Sequence, residues 1–220
     1  MFTAIAPRYD FLNHVLSLNI DRRWRRRAVA ALGWWENPGG VYVDLCAGTL
    51  DLAAELGNQS RFAGRVIGAD FVVPMLERGV HKSPRVRPVG ADALQLPFRD
   101  DRFDGCTVGF GVRNLTDLGA GLREMARILR SGGRLVILEF TDQSRWPLRG
   151  LFRFYFHQVL PRIGRLVSRH HTAYRYLPAS VEGFPSPARF VSMMQEAGFG
   201  DVNARPLTLG VATLFSGTRT

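Results

Sequence analysis

Cysteine, lysine and long apolar runs are scarce in this 220-residue chain, and each scarcity removes a class of protein. Two cysteines, Cys46 and Cys106, each set in an apolar run, supply neither a disulfide framework nor a metal-ligand spacing, which points to a reducing cytosol. No stretch approaches the roughly 20 apolar residues that cross a bilayer, and residues 1–30 lack the uninterrupted apolar core of a signal peptide. His14, His81, His157, His170 and His171 show no metal spacing, so no metal centre is expected. Lys82 is the only lysine, so the net charge of +10 is almost all arginine. Such a balance suits nucleic acid, an anionic membrane or merely an arginine-rich proteome. The arginines are scattered rather than gathered with stacking aromatics on one strand face, so nucleic acid is not an expected partner. With 46% hydrophobic and 22% charged residues, the chain is neither disordered nor a coiled coil, and its length suits one α/β domain.

What is present is alternation. A helical lead-in occupies residues 1–33, where Asp21 caps a helix that Gly33 stops. Val41–Leu45 reads as a strand, Cys46–Thr49 as a small-residue turn and Asp51–Leu56 as a helix. The pattern recurs: strand Arg65–Asp70, helix Pro74–Gly79, strand Val86–Val89, strand Phe103–Phe110, helix Leu118–Leu129. A turn at Arg130–Gly133 leads into strand Arg134–Phe140. Helix Pro187–Ala197 and two antiparallel strands, Val202–Leu207 and Val211–Gly217, close the chain as a hairpin-like edge. Strands and helices at this spacing predict a mostly parallel, doubly wound sheet in a single domain, 1–220. Residues 146–176 interrupt the alternation with aliphatic and aromatic residues interleaved with arginines. A lid over an apolar substrate, a membrane-surface contact and an ordinary amphipathic cover on the sheet edge all fit that pattern.

Ligands of a doubly wound sheet lie beyond the carboxyl ends of its strands. Three acids stand at such ends. Asp44 closes the first strand beside Gly48-Thr49, Asp70 closes the second, and Asp92-Ala93 follows the third. A carboxylate in the place of Asp70 accepts both hydroxyls of a ribose, and one in the place of Asp92 reaches an adenine edge, so a nucleoside cofactor is expected. A dinucleotide site needs G-x-G-x-x-G, and Cys46-Ala47-Gly48-Thr49-Leu50-Asp51 departs from it, with the acid Asp51 where a diphosphate would lie.

Asp44-Leu45-Cys46-Ala47-Gly48-Thr49-Leu50-Asp51-Leu52-Ala53 resembles the first motif of class I S-adenosylmethionine-dependent methyltransferases. Ile5–Asn13, Gly109-Phe110-Gly111-Val112-Arg113-Asn114, Leu138-Glu139-Phe140, Leu160–Gly164 and Tyr174–Leu177 narrow the resemblance to the ubiquinone/menaquinone biosynthesis C-methyltransferase family, which methylates a ring carbon of a prenylated quinol precursor. The likeness implies a Rossmann-like seven-stranded sheet with an antiparallel last strand, and S-adenosylmethionine as cofactor. It places cofactor contacts at Thr49, Asp70, Asp92, Ala93 and Gly109, beside Asp44 and Gly48, and the reacting ring at Tyr9, Arg113 and Asn114. A prenylated quinol, a peripheral membrane contact and a second copy of the chain are the expected partners. Other readings of the same fold are action on another lipophilic or phenolic metabolite, or a silent relative that binds lipid or a partner.

Quinol carbon methylation needs an electron-rich ring, so the enzyme must help a phenol of pKa ~10 lose its proton. Arg113 stays protonated and acts as a donor to the developing oxyanion beside Asn114, Asp92 organises a water that takes the proton, and Tyr9 orients the ring. The chain departs from the family at Leu50, where glycine is usual. An isobutyl group there is expected to crowd the loop around the methionine part of the cofactor, at a left-handed backbone position that costs about 1 kcal/mol.

Overall fold

The computed structural model describes residues 20–141 and 180–220. Tyr9, the motifs at 5–13, 160–164 and 174–177, and the expected cover at 146–176 lie outside the described residues.

Helix α1 (Ile20–Ala31) buries Trp24, Ala28 and Val29, which recur at helical spacing on one face, and leaves Arg22, Arg23, Arg26 and Arg27 in water. Asp21 is not the cap expected of it. It sits inside the first turn, buried, with its carboxylate 3.1 Å from Arg25 one turn on. Gly33 takes the left-handed conformation past the helix end, as an αL stop requires.

Among the described residues the strands are β1 (Val41–Leu45), β2 (Arg65–Asp70), β3 (Val86–Gly90), β4 (Phe103–Gly109), β5 (Leu129–Phe140), β6 (Phe199–Leu207) and β7 (Ala212–Arg219). They form one sheet in the order β3-β2-β1-β4-β5-β7-β6. β1 pairs in parallel with β2 and β4, β2 with β3, and β4 with β5, while β7 runs antiparallel to both neighbours. The closing strands do form an antiparallel pair, but β7 is inserted and β6 takes the edge. Composition explains the order: β7 is largely buried, whereas β6 carries exposed polar residues and Pro206, which suit an unpaired flank. The expected turn at Arg130–Gly133 is a bulge within β5, where the register passes from Phe103↔Leu129 to Gly105↔Arg134.

Helices α2 (Asp51–Gly57), α3 (Val73–Gly79), α4 (Leu118–Ile128) and α5 (Pro187–Glu196) complete the layers. Alternation along β5 separates two cores: Val136 and Leu138 face α1 and α2, while Leu135 and Ile137 face α4 and α5. Strand order reverses between β1 and β4, and a crevice opens there at the carboxyl ends of the strands.

Candidate functional site

The loop from β1 to α2 turns by three left-handed residues, Cys46, Gly48 and Leu50. It is pinned from three sides. Ala47 N–H donates to the Ala69 carbonyl at 3.0 Å, Leu50 N–H to the Ala47 carbonyl at 2.8 Å, and Gly48 N–H to Asp70 Oδ2 at 2.8 Å. The other Asp70 oxygen accepts Val72 N–H at 2.7 Å. Each carboxylate oxygen carries a further lone pair, so Asp70 orders the loop and still has acceptor capacity for hydroxyls.

A crevice of about 400 Å³ opens beside this loop, and Gly48, Asp70, Asp92, Ala93, Gly109 and Asn114 line it together. Asp92 is exposed, with one oxygen accepting Leu94 N–H at 2.9 Å and the other without a partner among the described residues. The spacing had not singled out Phe71, which follows Asp70, lines the same crevice and is 77% exposed. An apolar residue directly after a strand-ending acid was the available signal. Cys46 also lines the crevice, yet burial first, then the carboxylates of Asp70, Asp44 and Glu139, push its thiol far above the ordinary value. It is a packing residue, not a nucleophile.

Three expected site residues do not line the crevice. Asp44 lies behind the loop, 1% exposed, accepting Thr107 Oγ1–H at 2.7 Å and Ala53 N–H at 3.0 Å. Ala53 is in the first turn of α2, where amides lack helical partners, so Asp44 caps that helix from a neighbouring strand. Burial pushes the Asp44 carboxyl up to about 7, against the lowering effect of those two hydrogen bonds and of Arg25. Thr49 is 4% exposed, with its carbonyl packed against Gly79 of α3. Arg113 sits on a 3-10 turn, Val112–Asn114, with its guanidinium turned to Glu139. It also donates to the Phe110 carbonyl and, through Nε, to Ser180 Oγ at 3.3 Å, and stacks 5.8 Å from the Phe140 ring centroid.

Leu50 does adopt the costly conformation, φ 64°, but its side chain leaves the crevice rather than crowding it. It is fully buried in the core. Gly68 and Gly79 make the space: a Cβ at Gly68 would lie 2.2 Å from Leu50 Cδ2, and one at Gly79 2.8 Å from Leu50 Cβ. Asp51 is likewise turned outward, 2.7 Å from Arg25 and 2.6 Å from Lys82.

The ubiquinone/menaquinone biosynthesis C-methyltransferase UbiE of Geobacter sp. (strain M21) is 45% identical over all of this chain and 94% of its own length. The demethylmenaquinone methyltransferase of Thermus thermophilus is 47% identical with both chains covered in full. A SAM-dependent methyltransferase structure from Aquifex aeolicus shares the fold, with a TM-score of 0.60 at 15% identity over 83% of each chain. The model of the ubiE/COQ5 methyltransferase family matches residues 1–219, and the chain belongs to that family.

Proposed function

We propose that this chain methylates a ring carbon of a prenylated quinol in menaquinone or ubiquinone biosynthesis, with S-adenosylmethionine as donor. The observation that carries the reading is the family match over residues 1–219. The crevice fits the cofactor's chemistry: Asp70 offers carboxylate acceptors at the switch point, and Gly48 and Gly109 keep the walls low where a ligand must approach backbone. Asp70 would hold the ribose hydroxyls, with Asp92 and Ala93 beside the base and Gly48 and Gly109 along the rest. Asp44 and Thr49 act from behind the loop, Asp44 by capping α2.

When bound, the cofactor supplies an electrophilic methyl group on a sulfonium. The chain's residues supply position and proton handling. Asn114 faces the crevice as a donor for the oxyanion that grows on the quinol ring. Arg113, with its charge met by Glu139, fixes the turn that carries Asn114. The open oxygen of Asp92 orders a water that accepts the phenolic proton. Tyr9 would orient the ring, the role that the resemblance implies for it. Among the described residues no helix is long and apolar enough to cross a membrane, and the charge of +10 supports peripheral contact with the anionic surface where such a quinol resides.

The test is methyl transfer from labelled S-adenosylmethionine to demethylmenaquinol and, separately, to the ubiquinone precursor quinol, with the product identified by mass spectrometry. Ring-methylated product from either supports the reading. Cofactor binding without transfer to either quinol would move the substrate to another phenol, and no cofactor binding would leave a silent relative.

A further inference from the structure

A groove of about 1040 Å³ lies at the other end of the sheet from the cofactor crevice. Strands β1, β2 and β4 are parallel, so their starts gather at one end and their ends at the other. Val41, Arg65 and Phe103, which open these strands, line the groove, whereas Leu45, Asp70 and Gly109, which close them, line the crevice. Six-residue β2 separates the two by about 16 Å.

Five arginines converge on this groove, Arg65, Arg85, Arg87, Arg99 and Arg102, and among the described residues no carboxylate lines it. All five are exposed. None forms an ion pair among the described residues, and Arg85 only donates to the Gly57 carbonyl at 3.3 Å. Nearby acids are committed elsewhere: Asp100 to Arg127 at 2.7 Å, Asp101 to Arg219, and Asp104 to Arg130 at 2.9 Å. Five like charges around one concavity repel each other until an anion enters. The floor is apolar, with Ile67, Phe98 and Phe103.

We propose that this groove binds a small organic polyphosphate, its phosphates clasped by the guanidinium forks and its organic part resting on the floor. Guanidinium matches phosphate oxygens in a planar, two-point fork, and a concavity of this size suits a small ligand. The other polyanions fit less well. Phe103 is 1% exposed and Phe98, T-shaped against it at 5.1 Å, is half-buried, so the groove offers no row of ring faces on which successive nucleic-acid bases could stack. Among the described residues no Trp or Tyr lines the groove as an anchor for an acidic peptide, and a flat membrane does not enter a concavity. The proposal is independent of the methyl-transfer reading.

Calorimetric titration of the full chain at low salt, with the crevice saturated by S-adenosylhomocysteine, tests it with three probes. Pyrophosphate asks whether phosphates suffice, and ATP and geranyl diphosphate ask which organic part the floor prefers. Saturable binding of at least one probe is expected. The triple variant Arg87→Ser/Arg99→Ser/Arg102→Ser should weaken it about tenfold or more, since each arginine lost removes charge-assisted hydrogen bonds. Arg22→Ser/Arg23→Ser/Arg27→Ser, which removes the same charge from α1, should leave it nearly unchanged. The proposal falls if no probe binds saturably up to millimolar concentration, or if both triple variants lose affinity equally. It also falls if single-stranded RNA or an acidic peptide occupies the groove where all three phosphates fail.

Discussion

Arg113 Nη1 lies 2.6 Å from Glu139 Oε1, and the two side chains are 7% and 0% exposed. This sealed pair joins the turn after β4 to the end of β5, and Glu139 also accepts the backbone amides of Arg113 at 3.2 Å and Phe140 at 2.8 Å. Its removal is therefore a structural event before it is a catalytic one.

Arg113→Ala is expected to destabilise the fold by about 3 to 5 kcal/mol, because it leaves a buried carboxylate without its counter-charge. Adding Glu139→Gln should return part of that loss, since it removes the buried charge while its single amide oxygen keeps only one of the two backbone amides. Denaturant unfolding of the two single variants and the double variant measures the coupling. If Arg113→Ala unfolds like the parent while methyl transfer is lost, Arg113 acts on the substrate instead of holding the turn.

Leu50→Gly relieves about 1 kcal/mol of left-handed strain but empties a fully buried isobutyl site, a loss on the scale of 2 to 5 kcal/mol. Burial wins. The variant should be less stable by about 1 to 4 kcal/mol and should bind S-adenosylmethionine no better than the parent. Thermal unfolding and calorimetry on both proteins check this, and a tighter-binding, equally stable glycine variant would show that the side chain does obstruct the cofactor.

Asp70→Ala deletes the acceptor for Gly48 N–H and Val72 N–H as well as the proposed ribose contact. Cofactor affinity should fall by ~1.5 to 3 kcal/mol, the scale for hydrogen bonds to a charged group. Equal affinities in calorimetric titration would place the ribose elsewhere.

Local pattern carried most of the elements, since a strand such as Arg65–Asp70 is an apolar run with punctuation at both ends. What depends on distant pairing was not legible. Asp44 and Asp70 look alike as strand-end acids, but β1 lies between β2 and β4, and Asp44 is in register with Thr107, which claims its carboxylate. Asp70 lies nearer the edge and keeps an open side. Glu139 stood in a recognised motif, yet its partner is 26 residues away. The groove arginines are scattered over residues 65–102 and meet only because parallel strands bring their starting ends together.

The buried carboxyl of Asp44 gives the stability a pH dependence of definite sign. Its folded value is about 7, against 3.8 for the free group, so between these values the folded chain holds a proton that the unfolded chain has released. Stability from this group is fully present below pH ~4 and is lost as pH rises through about 7, by roughly 4 kcal/mol at most. Asp44→Asn removes the titration while keeping the shape: the amide oxygen still accepts Ala53 N–H, and Thr107 Oγ1 reverses to accept from the new NH₂ group. Unfolding measured at pH 5 and pH 8 should therefore show the parent losing more stability than the asparagine variant across that interval. Other titrating groups are common to both proteins and cancel in the difference. Equal losses would mean that Asp44 is already ionised in the folded state at pH 5, with Arg25, Thr107 and Ala53 outweighing its burial.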